Sequence, residues 1–356
     1  MSSIIIMAGG MGTRFWPASR KDNPKQFLNL TGDKTMIRET AERVSQIVDA
    51  DRIFIVTTAN LAAKVADELD FLPQENIIIE PEGRNTAPCV ALAMAAVRSK
   101  FGPEEVTAIL PADHKIGDVQ QYLSVLKGVF EYIEENSEVA TFGIKPSRPE
   151  TGYGYIETGS MLGTNGDIEI RSGIRFVEKP DEERSKQYVD SGKFLWNSGM
   201  FVLKTGTFMQ LCSMHLPEIY AEVEALEKNL NNSDALREVY SRLPKVSFDN
   251  GIMEKLDKFV VAPGDFGWDD LGSWLALENN LPQDEKGNVV VGNSIQMDVE
   301  NSIIYGNGKQ TVAAVGLKDF IVVVRDDVIM ICPKEHNQQI KQLVNEVKSR
   351  GRGDLL

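Results

Sequence analysis

Short apolar, β-branched runs alternate with helix-periodic segments over the first third of the chain. The runs are Ser3 to Met7, Arg52 to Thr57, Asn76 to Ile79 and Val106 to Leu110, and helical periodicity fills positions 35–47, 60–69 and 88–99 between them. Strands that are apolar on both faces and separated by helices form βαβ units, so this spacing predicts a Rossmann-like α/β fold with a mixed, mainly parallel sheet flanked by helices. The segment around Pro88, APCVALAMAAV, is apolar nearly all round and is expected to lie buried against that sheet. Its start is well marked: Asn85 or Thr86 suits an N-cap and Pro88 suits the first turn, so free backbone N–H groups point at whatever lies beside Gly83 to Thr86.

From about Thr151 the pattern changes to Gly-rich extended pieces, TGYGYIETG and IRSGIRFVEKP, which read as antiparallel strands inserted after the parallel core. A long polar helical stretch, LPEIYAEVEALEKNLNNSDALREVY, follows. Past Leu281 come short strands with turn residues, VVVGNSIQMDVENSIIYGNG and KDFIVVVRDDVIMIC, and then a helix in which Ile340, Leu343, Val344 and Val347 keep i, i+3, i+4, i+7 spacing. The expected organisation is one large domain over 1–280, with the insertion from about 151, and a small β-rich appendage over 281–356 sealed by an amphipathic helix.

Composition narrows the function. The chain has 356 residues, of which 42% are hydrophobic and 25% charged, an ordinary globular balance. A net charge of -14 opposes binding to a nucleic-acid backbone, so no nucleic-acid partner is expected, while small anions remain admissible where the local field is positive. Cys89, Cys212 and Cys332 lie far apart without CxxC spacing, which signals neither a disulfide framework nor structural zinc. Ile4 to Ile6 is too short for a secretory apolar region, and no run approaches the ~20 apolar residues of a membrane span. A cytoplasmic protein without a membrane partner is the expectation.

The first βα turn reads Ala8-Gly9-Gly10-Met11-Gly12-Thr13-Arg14, with Pro24-Lys25-Gln26-Phe27 further on. Glycines at the carboxyl end of a strand let backbone N–H groups approach phosphate closely. No Gly-Lys-Ser/Thr follows, which excludes a P-loop, and Phe15 stands where the dinucleotide fingerprint needs its third glycine. Arg14, Arg20, Lys21 and Lys25 concentrate positive charge here with Asp22 as the lone acid among them, a composition suited to holding a polyphosphate. LPADHKI sets Asp113 just past a strand end, and GWDDLGSW supplies Asp269 and Asp270 on a second loop. Two carboxylates from separate loops suffice for Mg²⁺, which keeps waters and substrate phosphates as its other ligands. Lys179 precedes Pro180, which resists continuing the strand, so Lys179 is expected to reach into a cleft. His114, His215 and His336 share no metal or triad spacing and are expected to be structural.

Together, GGMGTRFWPASR, PKQF, EPEGRNTAP, LPADH, TGYGYIE, FVEKP, WNSGMF and GWDDLGSW occur in order over about 280 residues. As a set they resemble the signature of nucleotide-diphospho-sugar pyrophosphorylases, and within them the guanylyltransferases acting on mannose 1-phosphate. The resemblance implies a nucleotide-binding core, a sugar pocket in the middle segment and a short tail like a left-handed β-helix. It implies GTP and mannose 1-phosphate as substrates, and GDP-mannose and pyrophosphate as products. Ala8, Gly9, Gly10, Gly12, Thr13, Glu80, Arg84, Asn85, Thr86, Pro111 and Asp113 are the residues it sets at the nucleotide, with RNTAP tilting the base toward guanine. It sets Gly152, Tyr153, Gly154, Glu178 and Asn197 at the sugar, whose hydroxyls the Asn197 amide can both donate to and accept from. Asp113 and Asp270 become the Mg²⁺ ligands, Lys179 the holder of the sugar phosphate, and Arg14 with Lys25 the catalytic cations on the triphosphate. A sugar phosphate has a second pKa near ~6 and is mostly dianionic at neutral pH, which explains why no general base stands out. A homodimer is compatible with the sequence. Bifunctional members add a cupin-like isomerase domain; with the sequence running to Leu356, isomerase activity is not expected. The alternatives are a relative using another sugar or base, and a sugar-nucleotide-binding regulator without turnover.

Overall fold

The first apolar run becomes β1 (Ser2–Met7), and β2 (Ile53–Thr58), β3 (Ile77–Glu80) and β4 (Val106–Pro111) pair parallel to it in the order β3-β2-β1-β4. The computed structural model describes residues 2–10, 12–165 and 168–356. Met11 of the Gly-rich turn lies outside them. Ile4, Ile5 and Ile6 are all fully buried, as expected of a strand covered on both faces. β5 (Ala140–Ile144), β6 (Tyr155–Asn165), β7 (Ile168–Val177), β8 (Phe194–Lys204) and β9 (Phe259–Gly264) extend the sheet to nine strands in the order β3-β2-β1-β4-β8-β5-β9-β7-β6. β5 and β9 are parallel, whereas β8 meets β4, β5 and β6 antiparallel and β6 pairs antiparallel with β7, so the Gly-rich middle segment forms the antiparallel part.

Helices α1 (Met36–Val44), α2 (Ala62–Glu68), α3 (Thr86–Phe101), α4 (Val119–Glu135) and α5 (Glu182–Ser191) occupy the crossovers. They are followed by α6 (Thr205–His215), α7 (Pro217–Asn229), α8 (Ser233–Ser241) and α9 (Phe248–Gly251). α3 is apolar all round because it has no free face: sheet residues Ile5, Phe54 and Ile109 share its cluster with Leu211, Ile219, Val223 and Tyr240 from α6, α7 and α8. The stretch that reads as one polar helix is two, α7 and α8. Asn232 breaks it, its side chain accepting from Ala235 N at 3.2 Å, and the two helices bury Ile219, Val223, Leu226, Leu236 and Val239 while turning their charges outward.

Contacts divide the chain into two compact units. The nine-stranded sheet belongs to Met1–Gly9, Thr40–Ala112 and Ile116–Trp268, and the second unit gathers Gly10–Glu39, Asp113–Lys115 and Asp269–Leu356. In the second unit, α10 (Leu277–Asn280) leads into β10 (Val289–Val291), β11 (Ser294–Met297), β12 (Ile303–Tyr305), β13 (Val312–Val315), β14 (Phe320–Val324) and β15 (Ile329–Pro333), then α11 (Ile340–Ser349). β10, β12 and β14 stack parallel with Val289, Ile303 and Ile321 in register, and β11 pairs parallel with β13, the pattern of successive β-helix coils. Trp274 is fully buried between Phe15 and Tyr305, with ring centroids 5.0 Å away on either side.

The Gly-rich loop is therefore packed with the tail. Trp16 Nε1 donates to the Leu355 carbonyl at 2.8 Å, and Arg20 pairs bidentately with Asp327 at 2.6 and 2.8 Å. α11 buries Ile340 and packs Val344 and Val347, but Leu343 is 41% exposed, contrary to the expected stripe. At about 100° per residue Leu343 falls at the edge of the face centred between the other three, and the narrow contact leaves it outside. No helix among the described residues is long and apolar enough to cross a membrane.

Candidate active site

Gly12 adopts φ 56, a left-handed turn that closes when Phe15 N donates to its carbonyl at 3.0 Å and Ser19 Oγ donates to it at 2.6 Å. A Cβ at position 12 would lie 2.3 Å from Lys25 Cβ, so glycine is needed for both conformation and space. The turn buries Phe15 and leaves Arg14 exposed on the wall of a pocket of about 300 Å³, where Gly12 and Thr13 also lie.

Lys25 is buried, and its placement organises the pocket. Its Nζ lies 3.0 Å from Asp113 Oδ2, donates to the Asp270 carbonyl, and sits 5.8 Å from the Phe15 ring centroid. One ammonium thus ties the loop after β4 to the loop after β9. Burial alone would raise the Asp113 carboxyl, but the charges of Lys25 and His114 outweigh it and hold the group below the usual carboxylate range. Asp269 braces its loop, its oxygens accepting from Leu271 N at 2.7 Å and from the Asn280 side-chain Nδ2 at 3.0 Å. Sequence reasoning missed two lining groups, His114, read as structural, and Lys341 from α11. The oxygen set of Asp113 and Asp270 fits a hard divalent cation that completes its shell with water and phosphate. Among the described residues no group of three or more His, Cys, Asp or Glu side chains is placed to hold a metal.

In the sheet-bearing unit, Ala8 and Gly9 leave the end of β1 beside Pro111, which is in register with Met7. β1 is the strand from which the chain turns first toward β2 and later, through β4, to the other side, the switch point where open α/β sheets place ligands. A Cβ at Gly9 would lie 3.3 Å from Glu80 Oε2. Glu80 is buried and accepts from Tyr240 Oη at 2.7 Å; its carboxyl is raised by burial in spite of that bond and of the Arg84 N–H. The Arg84 side chain turns to Glu82 and the Leu243 carbonyl. Asn85 is the N-cap of α3 at φ 71, accepting from Thr86 N at 2.9 Å, and Thr86 Oγ1 accepts from Phe248 N at 2.8 Å.

The residues expected at a sugar also gather within this unit. Tyr153 packs edge-on to Trp196 and Trp268, at 5.2 and 5.3 Å. Gly152 N donates to Glu150, and the Gly154 carbonyl accepts from Asn197 N at 2.8 Å. A Cβ at Gly154 would lie 2.7 Å from Glu178 Oε2, so the glycine makes room for that carboxylate. Lys179, exposed at φ 45, pairs with Glu178. The Asn197 amide is more committed than its sequence suggests: Oδ1 accepts from Thr141 Oγ1 and Gly199 N, both at 3.2 Å, and Nδ2 donates to Asp249 Oδ1 at 3.0 Å. Asp249, in the short helix α9, was not singled out from the sequence. Burial first, and then the negative Glu178, push its carboxyl up to about 6.

Two cations, Arg14 and Lys25, line one pocket with the carboxylate-bearing Asp113 and Asp270, and the sheet-bearing unit gathers Glu178, Asn197 and Asp249. Residues 3–287 match the family model described as nucleotidyl transferase, and residues 292–347 match the MannoseP isomerase/GMP-like beta-helix domain. The chain belongs to the nucleotidyl transferase family. It is 37% identical over 355 residues to the mannose-1-phosphate guanylyltransferase of Escherichia coli K12, covering 98% of this chain and 74% of that protein. It is 36% identical over 366 residues to the alginate biosynthesis protein AlgA of Pseudomonas aeruginosa, covering 98% and 73%. A crystal structure from Thermus thermophilus, described as a mannose-1-phosphate geranyltransferase, matches with a TM-score of 0.88 at 34% identity, covering 98% of this chain and 99% of that one.

Proposed function

We propose that this protein is a mannose-1-phosphate guanylyltransferase, moving GMP from GTP to mannose 1-phosphate with release of pyrophosphate. The observation that carries the reading is Lys25, a buried ammonium joined to the Asp113 carboxylate and the Asp270 carbonyl in a pocket that also holds Arg14. Relatives named for this activity match over nearly the whole chain and supply the sugar and base.

In this mechanism the dianionic sugar phosphate attacks the α-phosphorus in line, and alignment replaces base catalysis. Lys179 holds the attacking phosphate, Glu178 and Asn197 hold sugar hydroxyls, and Asn197 does so with the one amide N–H left after its bond to Asp249. Arg14 neutralises the triphosphate. Lys25 fixes the relative position of the two acidic loops, and its charge helps keep the Asp113 carboxyl in its ionised form. Asp113 and Asp270 would hold Mg²⁺, whose chemistry there is to neutralise and orient phosphate oxygens. The Gly9 backbone and the Glu80 to Thr86 segment receive the base.

Pyrophosphate release measured with each nucleoside triphosphate against mannose, glucose and fucose 1-phosphates tests the reading. GTP with mannose 1-phosphate should give the highest kcat/KM. Preference for another pair, or GDP-mannose binding without turnover, would overturn it.

A further inference from the structure

The terminal helix α11 does more than close the β-rich unit. Ile340, Val344 and Val347 pack in the same apolar cluster as Phe15 and Trp16, which locks the helix against the loop carrying Arg14. That packing sets the neighbouring residue, Lys341, at the wall of the pocket shared by Arg14, Lys25, Asp113 and Asp270. Lys341 is exposed and forms no hydrogen bond or ion pair with a described residue. Most lysines of this unit have acidic partners: Lys309 with Asp326, Lys318 with Glu300, Lys334 with Glu278 and Lys25 with Asp113. In a chain of net charge -14, an unpaired ammonium held at a polar pocket is set for an anion that arrives from solution.

The electrostatics of the pocket say which anion. Lys25 is spent on protein groups, and two carboxylates line the same space, so a polyphosphate entering it must find its positive charge elsewhere. Arg14 and Lys341 are the cations presented to it. A nucleoside triphosphate carries most of its charge on the phosphates farthest from the nucleoside, and a mobile lysine ammonium suits such a point-charge contact.

We propose that Lys341 binds the terminal phosphates of the nucleoside triphosphate, and therefore the departing pyrophosphate, so that the C-terminal helix supplies a substrate ligand. The inference rests on the nucleotidyl transfer proposed above.

Calorimetric titration of the full chain with GTP, pyrophosphate and GMP, each with Mg²⁺, tests it in Lys341→Ala, Lys341→Arg and, as a charge control on the same helix, Lys348→Ala. Lys341→Ala should weaken GTP and pyrophosphate about tenfold, the worth of one exposed charge-assisted contact, and leave GMP unchanged. Lys341→Arg should restore most of the loss, and Lys348→Ala should stay within about twofold of the wild type, since a distant charge is screened. Unchanged GTP affinity in Lys341→Ala, an equal loss for GMP, or an equal loss in Lys348→Ala would each overturn the assignment. If the wild type released no pyrophosphate from GTP and mannose 1-phosphate while GTP binding still depended on Lys341, the proposed reaction would fall and this contact would stand. Failure of GTP to bind the wild type would remove both.

Discussion

Asp249→Asn separates an electrostatic cost from a packing contribution at one half-buried hydrogen bond. The wild-type carboxylate accepts from Asn197 Nδ2 at 3.0 Å, and an asparagine amide oxygen can do the same without ionising. Burial first and Glu178 next raise the carboxyl from 3.8 to about 6, against the opposing pull of its own N–H, Lys179 and the Asn197 amide. A group raised in the folded state holds its proton more tightly there than in the unfolded chain. Its stabilising effect is complete below 3.8, and it is lost as the pH rises through about 6. At 1.36 kcal/mol per unit the loss is about 2–3 kcal/mol, or about 3–4 °C in Tm for a chain of this size. Thermal melts of both proteins between pH 4 and 8 read the difference, since every other titrating group cancels. The Asp249→Asn protein should match the wild type near pH 4, gain through pH 5 and 6, and hold a constant advantage above pH 7. Parallel curves, or a variant that loses ground as the pH rises, would refute the account of this site.

Lys25→Met should reduce kcat/KM by about 10²- to 10³-fold, because it removes the tie between the Asp113 and Asp270 loops. It should also flatten the acid limb of stability: the lowered Asp113 carboxyl stabilises the fold above the ordinary carboxylate pKa, an effect lost as pH falls through its depressed value, and this variant releases that depression. Lys179→Ala should cut turnover by about 10²-fold or more with an unchanged melting curve, since the side chain is exposed and its loss leaves no cavity; near-normal turnover would refute its role. Gly12→Ala should destabilise by about 1–3 kcal/mol, read by urea denaturation, from the left-handed φ and the 2.3 Å approach to Lys25 Cβ.

The parallel strands, the buried α3 and its start at Asn85 or Thr86 were legible because each rests on a local period or a local cap. The partition of the chain was not legible in that way. Phe15 finds Trp274, itself packed on Tyr305, more than 250 residues further on, and no spacing near Phe15 encodes that meeting. Site residues divide along the same line. Lys25 and Asp113 stood out by charge and strand-end position, whereas Lys341 looks like any lysine on the polar face of a helix. Asp249 carries no signal in the sequence, and only the Asn197 bond and nearby Glu178 set it apart. Arg20 had the right charge in the right segment, yet Asp327 consumes it.

The ribbon from Gly10 to Glu39 is synthesised well before the surface it packs on. During synthesis Phe15, Trp16, Leu28 and Leu30 must wait, apolar and uncovered, while roughly the next 250 residues emerge, a delay of tens of seconds at ordinary translation rates. A nascent chain interrupted before Ile340 would keep that ribbon partly uncovered, and a holdase or protease reading exposed apolar surface could recognise the interruption by residues made hundreds of positions earlier.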